Sequence, residues 1–361
     1  MRALRPLFRR LAKQAPRAAM AVRAAVQPTP NQEFANQVWN ERYSKTDAAG
    51  QLEHADCDPL DYTRHPFIYG HAISEPLTGS IDRFWLDAIC TQYFTPRAGL
   101  VLSLGCGTAT HEEHLLSHGF AERVIAYDMS SEAITAARRR LDATQWGGAI
   151  ELRCSNPLTD ALPTAGIDVV LVEAAIHHFI EIERMFELMH RVLKPTGLLI
   201  YDEYVGPDHH QHPPELIALL DRLNACLADS YRRDFESGAP REHVEAAPLD
   251  WMLAYDPTEG VHASRILPLT HQYFDVVDRR DYGGAILRPF FSRILRNWDF
   301  SDPKDQTVAR LIILLEQELT RRGIIPSHQT LVVARPRRRP LSPLPPHAIE
   351  RIGYAGWTPP S

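Results

Sequence analysis

Two groups of residues in this chain have types and spacings that could do chemistry. The first is Gly105-Cys106-Gly107, which breaks the apolar run from Val101 to Leu104, together with Asp128, which ends a second apolar run. A glycine turn between a strand and a helix sets backbone N–H groups and a helix N-terminus against a ligand. A carboxylate closing the next strand, about 20 residues on, accepts hydrogen bonds from both ribose hydroxyls of an adenosine. The pair predicts an adenosine ligand. The second group lies in "EAAIHHF" (173–179) and "DEYVGP" (202–207), which supply His177, His178, Glu203 and Tyr204. Histidine takes up protons near neutral pH, so His177 or His178 is a candidate general base. Glu203 could orient that histidine or bind a substrate hydroxyl.

The turn also excludes ligands. A dinucleotide site needs a third glycine for close helix–strand packing beneath a pyrophosphate, and position 110 is Thr110. A nucleotide-binding P-loop needs Gly-Lys-Ser/Thr, and Gly107 is followed by Thr108 and Ala109. An adenosyl ligand without phosphate remains, which points to S-adenosylmethionine. Other clusters carry less. In "HEEH" (111–114) the histidines are three apart, whereas the zinc-protease motif needs four. His209, His210 and His212 in "DHHQH" sit beside prolines with no thiolate nearby, and read as a loop over an acceptor pocket. Cys106 fills the ordinary place of a small residue between glycines. No metal centre is expected.

These residues need a scaffold that brings strand ends together. From residue 99 apolar runs alternate with amphipathic segments: "GLVLSLG", "RVIAYD", "AIELRCS", "IDVVLVEAA" and "LLIYDEY" read as strands, and "HEEHLLSHG", "SSEAITAARRRLDA" and "EIERMFELMHRVLK" as helices. Ser130 or Ser131 is a suitable helix cap. The alternation implies a parallel sheet covered on both faces, with ligands beyond the carboxyl ends of its strands. "YFDVVDRRDY" and "QTLVVAR" add a sixth and a seventh strand around the helix "VARLIILLEQELTRRG".

The motifs "LSLGCGT", "AYDMSSEAITAA" and "RVLKPTGLLIYDE" resemble, in order, those of class I S-adenosylmethionine-dependent methyltransferases. The resemblance covers roughly residues 99–205. It implies a Rossmann-like α/β fold with seven strands, the last antiparallel. It makes Gly105, Cys106 and Gly107 the turn beside the methionine part of the cofactor, Asp128 the ribose ligand and Met129 a residue packing on adenine. Asn156 is the candidate near the adenine amino group, and Glu173 a further cofactor-side candidate. "EYVGP", "DPTEGVHASRILP" and "DRRDYGGAIL" resemble a bacterial group associated with cell-envelope saccharide biosynthesis. The expected function is methyl transfer to a small polar acceptor, a saccharide being one case, at oxygen. The alternatives are a non-catalytic protein binding the same cofactor and a nicotinamide-dependent oxidoreductase.

The remaining expectations come from organisation and charge. Residues 1–34 form a basic extension, 35–98 a helical region lidding the cofactor, 99–335 the catalytic domain with an acceptor-side insertion at 206–271, and 336–361 a proline-rich tail. The insertion is read as a helix near 214–230 followed by loops, with Trp251, Tyr255, Asp256 and Arg265 as acceptor-wall candidates. Trp39 and Tyr43 are the lid candidates. Seven basic residues and no acid precede Glu33, so a net charge of −6 leaves −13 for the rest. So acidic a body disfavours nucleic acid, which needs clustered Lys and Arg. The basic head suits an anionic membrane surface or an organelle-targeting peptide. Five scattered cysteines without a C-x-x-C pair fit a reducing compartment, so a soluble cytoplasmic enzyme is expected. The oligomeric state is left open.

Overall fold

The first strand, β1 (Ala98–Leu104), shows why this sequence makes a two-sided sheet. Successive side chains of a strand point to opposite faces, and here both faces are apolar: Val101 packs into one core cluster, Leu102 and Leu104 into the other. β4 (Ile167–Glu173) repeats the pattern, with Val169 and Leu171 on the first side and Val170 and Val172 on the second. A computed structural model of the chain describes residues 32–44 and 62–342. The basic stretch proposed to touch a membrane and most of the proline-rich tail lie outside the described residues. The helix opening this part of the chain, α1 (Gln32–Tyr43), takes in the last three residues of the stretch read as the extension.

The remaining strands are β2 (Ala121–Asp128), β3 (Ile150–Cys154), β5 (Leu193–Tyr204), β6 (Phe274–Gly283) and β7 (Gln329–Pro336). Together they form a seven-stranded sheet in the order β3-β2-β1-β4-β5-β7-β6. β1 to β5 pair in parallel, and β7 runs antiparallel to both β5 and β6. This is the Rossmann-like methyltransferase fold, with the antiparallel last strand where it was expected. Strand order reverses between β1 and β4, and ligands of open α/β sheets bind at such a crevice.

Helices cover the two faces. On one side lie α4 (Trp85–Tyr93), α5 (Thr110–Ser117), α6 (Ser131–Leu141), α11 (Leu287–Phe291) and α12 (Pro303–Arg321), after two short turns, α2 (Pro66–Tyr69) and α3 (Glu75–Thr78). On the other lie α7 (Ile182–Val192) and α10 (Ile266–Tyr273). α7 forms because Ile182, Met185, Phe186, Met189 and Val192 recur at helical spacing, and all five are buried. Losing a side chain such as Phe186 there costs about 3–5 kcal/mol. Ser130 caps α6 by accepting the N–H of Ala133 at 3.1 Å.

Three local readings change. Among the described residues, α1 roofs the pocket at the strand ends, whereas residues from Tyr62 to Phe94 pack mainly into the core beside the sheet. The insertion is not one helix followed by loops: α8 (Pro214–Ala225) is joined by α9 (Leu249–Tyr255), and α10 starts before residue 271. β5 starts at Leu193, ahead of Pro195 and Gly197, with an irregularity in its pairing to β4. Among the described residues no helix is long and apolar enough to cross a membrane.

Candidate active site

A pocket of roughly 960 Å³, partly open to solvent, lies over the carboxyl ends of β1, β2 and β4. α1 roofs it with Gln32, Ala35, Asn36, Trp39 and Tyr43, all on one helical face. Two side chains hold α1 in place. Asn40 accepts the hydroxyl of Ser130 at 2.8 Å, and the Arg42 guanidinium lies 3.4 Å from the buried carboxylate of Asp256. Leu104, Gly105, Asp128, Met129 and Asn156 form part of the floor and walls.

Asp128 is fixed by its own chain: one oxygen accepts the N–H of Gly107 and the other that of Ser130, both at 2.8 Å. Burial raises its pKa, and those backbone donors oppose the shift. Each oxygen keeps a lone pair for a further donor. The glycines serve a purpose besides ligand access. A Cβ on Gly105 would lie 2.4 Å from that of Ala175, and one on Gly107 would lie 2.6 Å from the Tyr43 hydroxyl. The space over Gly107 that was assigned to the ligand is thus taken by the roof helix. Burial first, then the nearby Asp128, raises the Tyr43 pKa far above its ordinary value. Asn156 caps a short turn, its side-chain oxygen accepting the N–H of Leu158 at 2.9 Å.

The walls fit the expected cofactor. They contain no Lys or Arg and two acids, Asp128 and Glu181. The Gly107 N–H that a phosphate would use is already bound to Asp128. Such a pocket disfavours a pyrophosphate and suits a cationic sulfonium joined to an adenosine. Asp128 lines this pocket together with the apolar side chains of Met129, Leu158 and Met185.

Past Ala175 the character of the site changes. β4 leaves the sheet through Ala174, whose φ is +47°, into the short turn carrying His177 and His178. Glu203, on the neighbouring β5, clamps that turn: one oxygen accepts the N–H groups of Ala175 and Ile176, and the other accepts His177 Nδ1–H at 2.6 Å. His178 Nδ1 donates to the Thr258 hydroxyl at 3.1 Å, which in turn donates to Asp256 at 2.7 Å. Both imidazoles therefore turn Nε2 toward one buried carboxylate, Glu259, at 4.0 and 3.8 Å. Glu259 also accepts His210 Nε2–H at 2.7 Å, with the Arg288 guanidinium 3.3 Å away.

Buried charge decides the protonation here. Burial disfavours the His177 cation, but the adjacent Glu203 outweighs it and raises the pKa. Burial, then repulsion from His177, lowers that of His178. Burial and Arg288 push His210 down to about 3, so it donates as a neutral ring. Burial alone would raise Glu259; the surrounding histidines, His210 foremost, hold it well below the ordinary carboxylate range.

Some predicted site residues meet and others do not. His178 lines the cofactor pocket, and His177 stands beside it with ring centres 4.2 Å apart. Cys106, Gly107 and Glu173 are not among the pocket walls. Of the wall candidates, Asp256 is buried in the cluster and Tyr255 stacks on Trp251, but Arg265 pairs with Glu183 at the surface. "DHHQH" is a clamp as well as a loop: His209 Nδ1 donates to the Glu259 carbonyl at 2.9 Å, and His210 holds its carboxylate. Arg42, Thr258, Glu259 and Arg288 were not singled out from sequence. The signal for Glu259 was its place in "DPTEG"; Arg288 had none.

The Rossmann-like sheet and the pocket at its strand ends suit an S-adenosylmethionine-dependent enzyme. Residues 102–201 match the methyltransferase-domain family model. The chain is similar to the ubiquinone/menaquinone biosynthesis C-methyltransferase UbiE of Cereibacter sphaeroides, 25% identical over 175 residues, covering 46% of this chain and 69% of that protein. The UbiE of a Marinomonas species is 24% identical over 190 residues, covering 50% and 74%. Among solved structures, the N-methyltransferase NodS of Bradyrhizobium japonicum, with S-adenosyl-L-homocysteine, aligns over 84% of this chain and 99% of that one, at 13% identity and a TM-score of 0.42. This protein is an S-adenosylmethionine-dependent methyltransferase.

Proposed function

We propose that the enzyme methylates a hydroxyl oxygen of a small polar acceptor, of which a saccharide is the first candidate. One observation carries this reading: two adjacent histidine rings are each anchored through Nδ1, with His178 lining the cofactor pocket and His177 stacked beside it. S-adenosylmethionine supplies an electrophilic methyl on sulfur; transfer breaks the S–C bond, forms O–C, and leaves S-adenosylhomocysteine and a proton. The protein aligns acceptor and cofactor and excludes water. α1 provides the exclusion. His177 and His178 form the face at which the acceptor hydroxyl is activated, and Glu203 positions His177. The acids and Arg288 around that face offer partners to a polyhydroxy compound.

The UbiE relatives are named as acting at carbon. The proton-accepting residues gathered here support oxygen. The test feeds purified enzyme with methyl-labelled cofactor and cell extract, then locates the label by NMR. A methoxy product is expected. A carbon-bound methyl group, or cofactor binding with no transfer to any acceptor, would overturn the proposal.

A further inference from the structure

The side chains at the acceptor end form a ligand set that a base alone does not require. His177, His178 and Glu259 each offer one donor atom, and the three atoms lie within 4.8 Å of one another. Among the described residues neither Nε2 makes a hydrogen bond, although both point at the same carboxylate. Their tautomers are set from behind, because Nδ1–H is committed to Glu203 in one ring and to Thr258, backed by Asp256, in the other. Both Nε2 atoms therefore face forward, and binding an ion at His177 would displace its Nε2 proton. A metal-binding histidine is ordinarily held this way, its far nitrogen hydrogen-bonded to a carboxylate or another oxygen.

Charge agrees with geometry. Glu203, Asp256 and Glu259 place three carboxylates around the two rings, while Arg42 and Arg288 supply two guanidinium groups. The carboxylates outnumber the guanidinium groups by one. His210 and Arg288 both engage one oxygen of Glu259, leaving the other, 3.8 Å from His178 Nε2, for a further partner. Ligands about 2.1 Å from a tetrahedral metal lie roughly 3.4 Å apart, so small side-chain rotations close the triangle.

We propose that His177, His178 and Glu259 bind one first-row divalent transition-metal ion beside the methyl-transfer site. Two imidazoles and one carboxylate suit zinc, iron, cobalt or manganese better than magnesium or calcium. No short motif announces this site, because Glu259 lies 81 residues beyond His178. Binding follows from these residues alone. The ion's role, polarising the acceptor hydroxyl so that its proton leaves to solvent more readily, rests on the function proposed above.

The test titrates the full-length, chelator-treated protein with Co²⁺ and follows visible absorption, with elemental analysis after Zn²⁺ or Mn²⁺ loading. One ion per chain is expected. His178→Ala and Glu259→Gln should weaken binding at least tenfold, and Glu203→Gln by about 10- to 100-fold through its hold on His177. Thermal melting and cofactor titration check that each variant is folded; His178→Ala stands in if Glu259→Gln does not fold. Asp87→Asn, in a separate group with His114 and His118, should leave binding unchanged. Failure of all three ions to bind at millimolar concentration overturns the proposal, as does full affinity in His178→Ala. Full turnover by chelated enzyme overturns the ion's role but leaves oxygen methylation standing. Bound metal with carbon methylation supports the site while overturning the function proposed for it.

Discussion

The two ends of the site are built from different materials. The cofactor end uses backbone, small residues and one carboxylate held by two main-chain N–H groups. The acceptor end uses charged and imidazole side chains buried against one another. A methyl donor that is already activated needs to be held, which backbone does well. An acceptor that must give up a proton needs groups whose charge state the protein controls. The contrast can be tested by asking which variants damage binding and which damage chemistry.

The largest expected effect is at the acceptor end. His177→Ala or His178→Ala should lower turnover by about 10²- to 10⁴-fold, while cofactor affinity by calorimetry stays nearly unchanged. If neither variant slows turnover, the division between the two ends breaks.

The second prediction concerns how buried carboxyls behave with and without charged partners. Glu259 is held low by histidines, whereas Glu316, whose Oε1 accepts the N–H of Ile286 while its Oε2 is buried without a hydrogen bond, is pushed up to about 7 by burial. In the unfolded chain Glu316 ionises near 4.5, so the folded state holds a proton that the unfolded state has lost. The stability this confers is complete below pH 4.5 and falls away as pH rises through about 7. The change is on the order of 3 kcal/mol. Glu316→Gln should flatten that slope in denaturant melts taken between pH 4 and pH 8. An unchanged slope would show that burial does not set this group.

At the cofactor end, Asp128→Ala should weaken cofactor binding by about 10- to 100-fold, the loss of hydrogen bonds to a charged group worth about 1.5–3 kcal/mol. Turnover at saturating cofactor should fall much less. Equal affinity in the folded variant would remove Asp128 from the ribose site. The smallest effect is at the roof: Asn40→Ala gives up a hydrogen bond worth about 0.5–1.5 kcal/mol. It should speed cofactor release several-fold in stopped-flow fluorescence.

The same contrast explains what the sequence could tell. The sheet, the Gly105–Gly107 turn and Asp128 are local features, set by hydrophobic alternation and by a turn between adjacent elements. Their meaning survives in a short window. The acceptor end is assembled by topology: Glu203 meets His177 because β5 pairs with β4, and Asp256 and Glu259 arrive from an insertion whose helices have no strong period. His177, His178 and Glu203 were visible because they end predicted strands, whereas Arg42, Glu259 and Arg288 become neighbours only in the fold. The glycine turn was read for its ligand, but the close approach of Ala175 and Tyr43 depends on segments distant in sequence.

α1, 12 residues long, is fastened at Asn40 to Ser130 on the Asp128 side of the pocket and at Arg42 to Asp256 beside the histidines. One short helix thus spans both ends of the site, so a movement of α1 as a unit would have to break both fastenings together.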